Sequence, residues 1–125
     1  MKNPGATKPR FEAVTPRLPV SDVHEALAFY RDRLGFQVGW KWDDPITHAN
    51  VCRDSISLDL IASPIERRGT AMAYIQLSGV DAYFTELKER NVDLGELGDR
   101  PYGMRDFELI DPSGNRLAFG EPTVG

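Results

Sequence analysis

SDVHEALAFYRDRLGF, residues 21–36, is the stretch on which the reading of the fold turns. Val23, Leu27, Tyr30 and Leu34 recur at helical spacing and form one apolar stripe. Ser21 and Asp22 stand where helix caps are favoured, and Glu25 follows within the first turn. Gly35 then ends the helix, as a C-terminal glycine does. Upstream, Phe11–Val20 is extended in character, with β-branched and apolar residues and prolines that exclude a helix. Downstream come three short strand-like runs, Phe36–Trp42, Thr47–Arg53 and Ile56–Ile61, with turns at Asp43-Asp44-Pro45 and Asp54-Ser55.

The same order then repeats. After a charged linker, Ser63–Gly69, the run Ala71–Leu77 reads as a strand and Gly79–Arg90 as a helix, with Val80, Tyr83, Phe84 and Leu87 on one face. Val92–Leu97, Arg105–Ile110 and Asn115–Phe119 read as strands, the last two joined by the tight turn Asp111-Pro112-Ser113-Gly114. The helices and the final turns of the two halves are each offset by about 57 residues. A half of that size does not hold a stable core alone. Two βαβββ modules, residues 11–62 and 70–121, are therefore expected to share one core in a single α+β domain. Residues 1–10, with Pro4, Gly5 and Pro9, read as a flexible tail, and 122–125 as a shorter one.

The bulk numbers exclude several function classes. At 125 residues, with 41% apolar and 27% charged residues, the composition is that of an ordinary globular domain. A net charge of −4 argues against nucleic acid, which calls for a basic face. A single cysteine, Cys52, rules out an intrachain disulfide framework and fits a reducing, cytoplasmic setting. No apolar run approaches the roughly 20 residues that span a bilayer, so no membrane partner is expected. The start of the chain lacks the apolar stretch of a signal peptide.

Two stretches carry a family resemblance. One runs from Ser21-Asp22-Val23 through Phe29-Tyr30 to Arg33-Leu34-Gly35-Phe36. The other is Pro101-Tyr102-Gly103-Met104-Arg105-Asp106-Phe107, followed by Asp111-Pro112-Ser113-Gly114-Asn115. Together they resemble the vicinal oxygen chelate, or glyoxalase/bleomycin resistance protein/dioxygenase, superfamily, and within it the bleomycin-resistance branch. Asp111–Asn115 has in its own right the composition of a tight turn and is read as that alone.

In the metal-dependent members of that superfamily the ligands are His, Gln or Glu on four strands. The resemblance places Thr15, Asp59, Tyr74 and Ala118 at those positions. One carboxylate beside a hydroxyl, a phenol and a methyl does not supply the three or four converging ligands a metal needs. His24 and His48 match no ligand spacing. The resemblance then implies no metal and no cofactor. It implies a protein that sequesters a bleomycin-like antibiotic or another planar, cationic small molecule, more readily than an enzyme. Two rivals stay open. One is a metal-free enzyme with Asp59 as base and Tyr74 or Tyr102 as acid; the other is a metal enzyme whose ligands include Glu108 or Glu121. Pro16 matches the first-strand proline of bleomycin-resistance proteins, which implies a strand-swapped homodimer with its grooves at the interface. An edge-strand proline in a monomer reads the same way.

Strand alternation sorts the candidate ligand contacts. Ile56, Leu58 and Leu60 are expected against the helices, leaving Ser57, Asp59 and Ile61 on the concave side. Ala73, Ile75 and Leu77 go to the core, leaving Met72, Tyr74 and Gln76. In the first strand Val14, Leu18 and Val20 are expected inward, with Ala13 and Thr15 toward the cavity. Trp40, Trp42 and Tyr102 add flat rings able to stack on a heteroaromatic or cationic ligand. The two tryptophans fit a core or a dimer interface equally well. Arg105 and Phe107, from the second stretch, complete the set, and a salt bridge from Asp59 to Arg105 or Arg17 is an alternative role for that acid. Cys52 reads as a small core residue.

Overall fold

The computed structural model describes residues 8–123. Its first sheet is built from β1 (Arg17–Val20), β2 (Gln37–Trp42), β3 (His48–Arg53) and β4 (Ile56–Ala62), in the order β1-β4-β3-β2. The second repeats that plan with β5 (Met72–Gln76), β6 (Gly98–Asp99), β7 (Met104–Ile110) and β8 (Arg116–Pro122), in the order β5-β8-β7-β6. In each, the first strand runs parallel to the last and the remaining pairs are antiparallel. The two-module α+β reading holds.

One helix belongs to each module. Helix α1 (Val23–Ala28) is capped by Asp22, whose carboxylate accepts the backbone N–H groups of His24 and Glu25 at 2.8 and 3.2 Å. It does not run unbroken to Gly35: Phe29–Arg33 widens into a π-turn before Gly35, at φ +77°, turns the chain into β2. Helix α2 (Val80–Glu89) starts from Gly79 and is capped from β8. The Glu121 carboxylate accepts from the N–H groups of Gly79 and Val80 at 3.0 and 2.6 Å.

Both apolar stripes fill one core. Leu18, Val20, Leu27, Tyr30, Leu34, Leu58 and Leu60 of the first module are buried in one cluster with Leu87, Phe107, Leu117 and Phe119 of the second. Polar bonds close the seam. The Tyr30 hydroxyl donates to Asp111 Oδ2 at 2.8 Å, and Asn115 Nδ2 donates to the Pro19 carbonyl at 2.9 Å. At the helix ends the modules clasp each other in kind. Arg33 donates to the carbonyls of Arg90 and Asn91, and Arg90 donates to that of Asp32.

Several expectations need correcting. The first strand is confined to Arg17–Val20; Phe11 and Val14 are 98% and 86% exposed, so Val14 does not point inward. Val92–Leu97 forms no strand. Its Val92, Leu94 and Leu97 still pack on the core, and it touches β7 through a single backbone bond, Gly95 N–H to the Glu108 carbonyl at 2.8 Å, before Gly98–Asp99 pairs with β7 as a strand. Asp111–Asn115 is more than a turn, because its Asp111 and Asn115 side chains make the seam bonds to Tyr30 and Pro19. Cys52 is half-buried and shares strand parity with Asn50 and His48, away from the core residues Ala49 and Val51. Of the expected tails, 1–7 and 124–125 lie outside the described residues and 8–10 are exposed. Pro122 instead ends β8, and Thr123 donates its N–H and hydroxyl to the Gly103 carbonyl at 3.0 and 3.1 Å, so the chain is held to position 123.

Candidate functional site

Alternation buries one face of each sheet and leaves the other open. On the first sheet the open face carries Arg17, Asp59, Asn50 and Trp40 in register across β1, β4, β3 and β2, with Pro19, Ile61, His48 and Trp42 in the next row. The Asn50 amide ties this face together by donating to Asp59 Oδ1 at 2.8 Å and to Ser57 Oγ at 2.7 Å. Asp59 also lies 3.8 Å from Arg17, so of the two arginines considered for it only Arg17 is near. A bulge at Gly39 sets both tryptophans on this side, and a side chain there would run into the Asn50 oxygen. Trp42 is 60% exposed, with its ring edge-on to His48.

The open face of the second sheet is organised by a residue the sequence reading passed over. Asp106 is buried on β7, and its Oδ2 accepts both the Tyr74 hydroxyl at 2.8 Å and the Tyr102 hydroxyl at 2.7 Å. Its Oδ1 takes Arg100 Nε at 2.8 Å. Burial works against the charge on Asp106, but the Arg100 guanidinium and the two phenols outweigh it and hold the carboxyl below its ordinary range. Desolvation and the adjacent carboxylate push the Tyr74 phenol up to about 12. Hydrogen bonding to that carboxylate, with partial desolvation, raises Tyr102 as well. Despite their anchored hydroxyls the two rings remain 49% and 65% exposed.

Of the ten residues expected to bind ligand, Trp40, Trp42, Ser57 and Asp59 come together on the first face, and Met72, Tyr74 and Tyr102 lie on the second. Gln76, at the end of β5, lines a cleft of about 480 Å³ on the seam between the β3–β4 turn and α2. Two expectations fail. Phe107 is fully buried and packs its ring against Phe84 and Phe119, and Arg105 points toward α2, pairing with Asp81 and Asp99 at 2.7 and 3.0 Å. Both sit on the core-side parity of β7. Among the described residues no hydrogen bond or ion pair joins the open face of one sheet to that of the other within the chain.

Residues 10–119 match the sequence profile of the Glyoxalase/Bleomycin resistance protein/Dioxygenase superfamily. The chain belongs to that superfamily. Bleomycin resistance proteins of Geobacillus stearothermophilus and Staphylococcus aureus are 27% identical to it, over 83% of this chain and 92% of theirs. Among solved structures, the antibiotic-binding protein TnmS3 from Streptomyces sp. CB03234 superposes with a TM-score of 0.79 at 25% identity, covering 93% of this chain and all of that one. A bleomycin-binding protein from Streptomyces verticillus, solved with copper(II)-bleomycin, gives 0.78 at 26% identity, covering 90% and 97%.

Metal-dependent members of the superfamily need a converging donor set, and these residues do not provide one. Thr15 is exposed ahead of β1, Asp59 is engaged by Asn50, the Tyr74 hydroxyl is bonded to Asp106, and Ala118 has no donor. Asp59 and Tyr74 also lie on different sheets. The alternative ligands are occupied elsewhere: Glu121 caps α2, and Glu108 lies 3.5 Å from Arg116. No group of three or more His, Cys, Asp or Glu side chains among the described residues is placed to hold an ion. Nor is any described helix long and apolar enough to cross a membrane.

Proposed function

We propose that this protein binds and sequesters bleomycin, or an antibiotic with similar planar and cationic parts, without transforming it. The observation that carries the proposal is the pair of open faces, one bearing Trp40 and Trp42 and the other Tyr74 and Tyr102. Among the described residues no hydrogen bond or ion pair joins one face to the other. Exposed rings beside a few fixed polar groups are what a small-molecule groove offers. Names and bound ligands among the relatives, bleomycin resistance and copper(II)-bleomycin, supply the ligand class.

The groove is completed by a second copy. In an isologous dimer the first face of one subunit meets the second face of its partner, giving two equivalent grooves. The segment ahead of β1, with Phe11 and Val14 exposed and no backbone hydrogen bond from Phe11–Thr15 to the other described residues, supports an arm that packs on the partner. The ligand contacts are then Trp40, Trp42, Ser57 and Asp59 from one subunit and Met72, Tyr74 and Tyr102 from the other. We place the protein in the cytoplasm, where a lone cysteine stays reduced.

Isothermal titration with metal-free and copper(II)-loaded bleomycin, run beside sedimentation velocity, tests both parts. The expected result is a dimer that binds one drug per groove and releases it chemically unchanged. A protein that stays monomeric, gives no heat, or converts the drug would refute the proposal.

A further inference from the structure

Asp106 receives hydrogen bonds on both carboxylate oxygens, and that fixes the chemistry of everything it touches. A phenol has one proton to give and lone pairs to accept with. Tyr74 and Tyr102 both direct that proton to Oδ2, at 2.8 and 2.7 Å. We propose that Asp106 sets the hydrogen-bonding polarity of the second face, so that Tyr74 and Tyr102 show the groove only lone pairs and select a ligand edge bearing N–H donors, such as an amine, an amidinium or a primary carboxamide. This deepens the binding reading above and rests on it.

Three further observations support the assignment. The cluster is held from behind: Arg100 donates through Nε to Oδ1 and through Nη2 to the Asp106 carbonyl at 3.0 Å and the Glu96 carbonyl at 2.6 Å. Space is left for it, because Asp106 lies in register between Gly98 and Gly120. A side chain at Gly120 would strike the Tyr74 hydroxyl and come within 2.8 Å of the Asp106 Cβ. The protonation pattern also agrees, since the carboxyl is held ionised while both phenols are raised and keep their protons at neutral pH. On the first face Asp59 is likewise an acceptor, taking Asn50 at 2.8 Å with Arg17 3.8 Å away. Asp106 acts through the phenols and is a positioning residue.

Three probes that share a ring and differ in the edge they present test this: benzamidinium, benzamide and benzoate, titrated into the full chain and followed by NMR. Benzamidinium is expected to shift the Tyr74 and Tyr102 resonances and to bind about tenfold more tightly than benzoate, the scale of one charge-assisted hydrogen bond. Benzoate binding as well or better, as it would if Arg100 captured the anion, overturns the proposal, and so does the absence of any shift at the two tyrosines. Asp106→Asn places an amide donor against the phenols and frees a phenol proton. The preference is then expected to fall about fivefold, and Tyr74 and Tyr102 to ionise nearer their ordinary value of about 10 in an ultraviolet titration. An unchanged preference in a folded Asp106→Asn protein also overturns it. Tyr102→Phe keeps the ring but removes the oxygen, and covers the case where that variant does not fold. Benzamidinium binding should weaken about threefold or more there, with unchanged affinity counting against the idea. Bleomycin titrated in parallel separates the two readings. If the probes order as expected and the drug fails to bind, sequestration falls and the polarity stands; the opposite pattern does the reverse.

Discussion

Strands β4 and β8 hold the same place in their two sheets, each parallel to the first strand of its module and antiparallel to the third. Inward they agree: Leu58 and Leu60 on one, Leu117 and Phe119 on the other, all buried. Outward they part. The first shows Ser57, Asp59 and Ile61, the second Arg116, Ala118 and Gly120. The acid has changed strands with them: the first face centres its carboxylate on β4, the second on β7 at Asp106, where the bare Gly120 makes room. Side chains on the shared parity must fit one close-packed core and so stay alike in kind. Those on the other parity are free to differ, and they carry the ligand contacts proposed above.

The sharpest way to break this comparison is to cut one residue from each parity of the second module. Phe107→Ala removes a ring packed against Phe84 and Phe119 and should destabilise the protein by about 3–5 kcal/mol in denaturant unfolding. A loss below about 1 kcal/mol would show that Phe107 is not the core residue described here. Asp111→Ala probes the seam by leaving the Tyr30 hydroxyl and the Asn115 amide short of a partner. A loss of about 2–3 kcal/mol is expected from the same measurement, and near-neutral behaviour would mean the modules hold together by apolar contact alone. The smallest effects on stability come from the exposed side chains. Trp42→Ala and Arg105→Ala should each stay within about 0.5–1 kcal/mol of the parent. They divide on calorimetry with bleomycin: the tryptophan variant should lose about tenfold in affinity, the arginine variant nothing. Equal losses would return Arg105 to the groove and undo the parity argument.

Much of this was legible in the sequence where a local signal had a single reading. The stripe Val23, Leu27, Tyr30 and Leu34 and its echo about 57 residues later placed both helices, and alternation along β4 and β5 set Asp59 and Tyr74 on open faces. The misses have physical causes. Phe11–Thr15 has strand composition but no strand partner among the described residues, and composition does not reveal where hydrogen bonds go. Val92, Leu94 and Leu97 are apolar because they cover the core, and one backbone bond from Gly95 to Glu108 does not make the segment a strand. Arg105 and Phe107 entered the site through a family motif instead of through alternation. With Phe107 and Leu109 as the apolar pair of β7, a period of two sends Arg105 with them and turns Asp106 and Glu108 outward. That signal was present. What no spacing could show is that two phenols distant in sequence converge on that one acid.

The linker between the modules has a consequence of its own. Ile65–Arg67 is a single exposed turn between β4 and β5. Helix ends, seam bonds and the common apolar cluster join the halves far more extensively than this peptide does. A protease nick there would sever the covalent thread while leaving the halves held to each other. Expressed as two separate genes, they would be candidates to find one another and rebuild the whole, which makes this turn the natural place to divide the protein into a complementation pair.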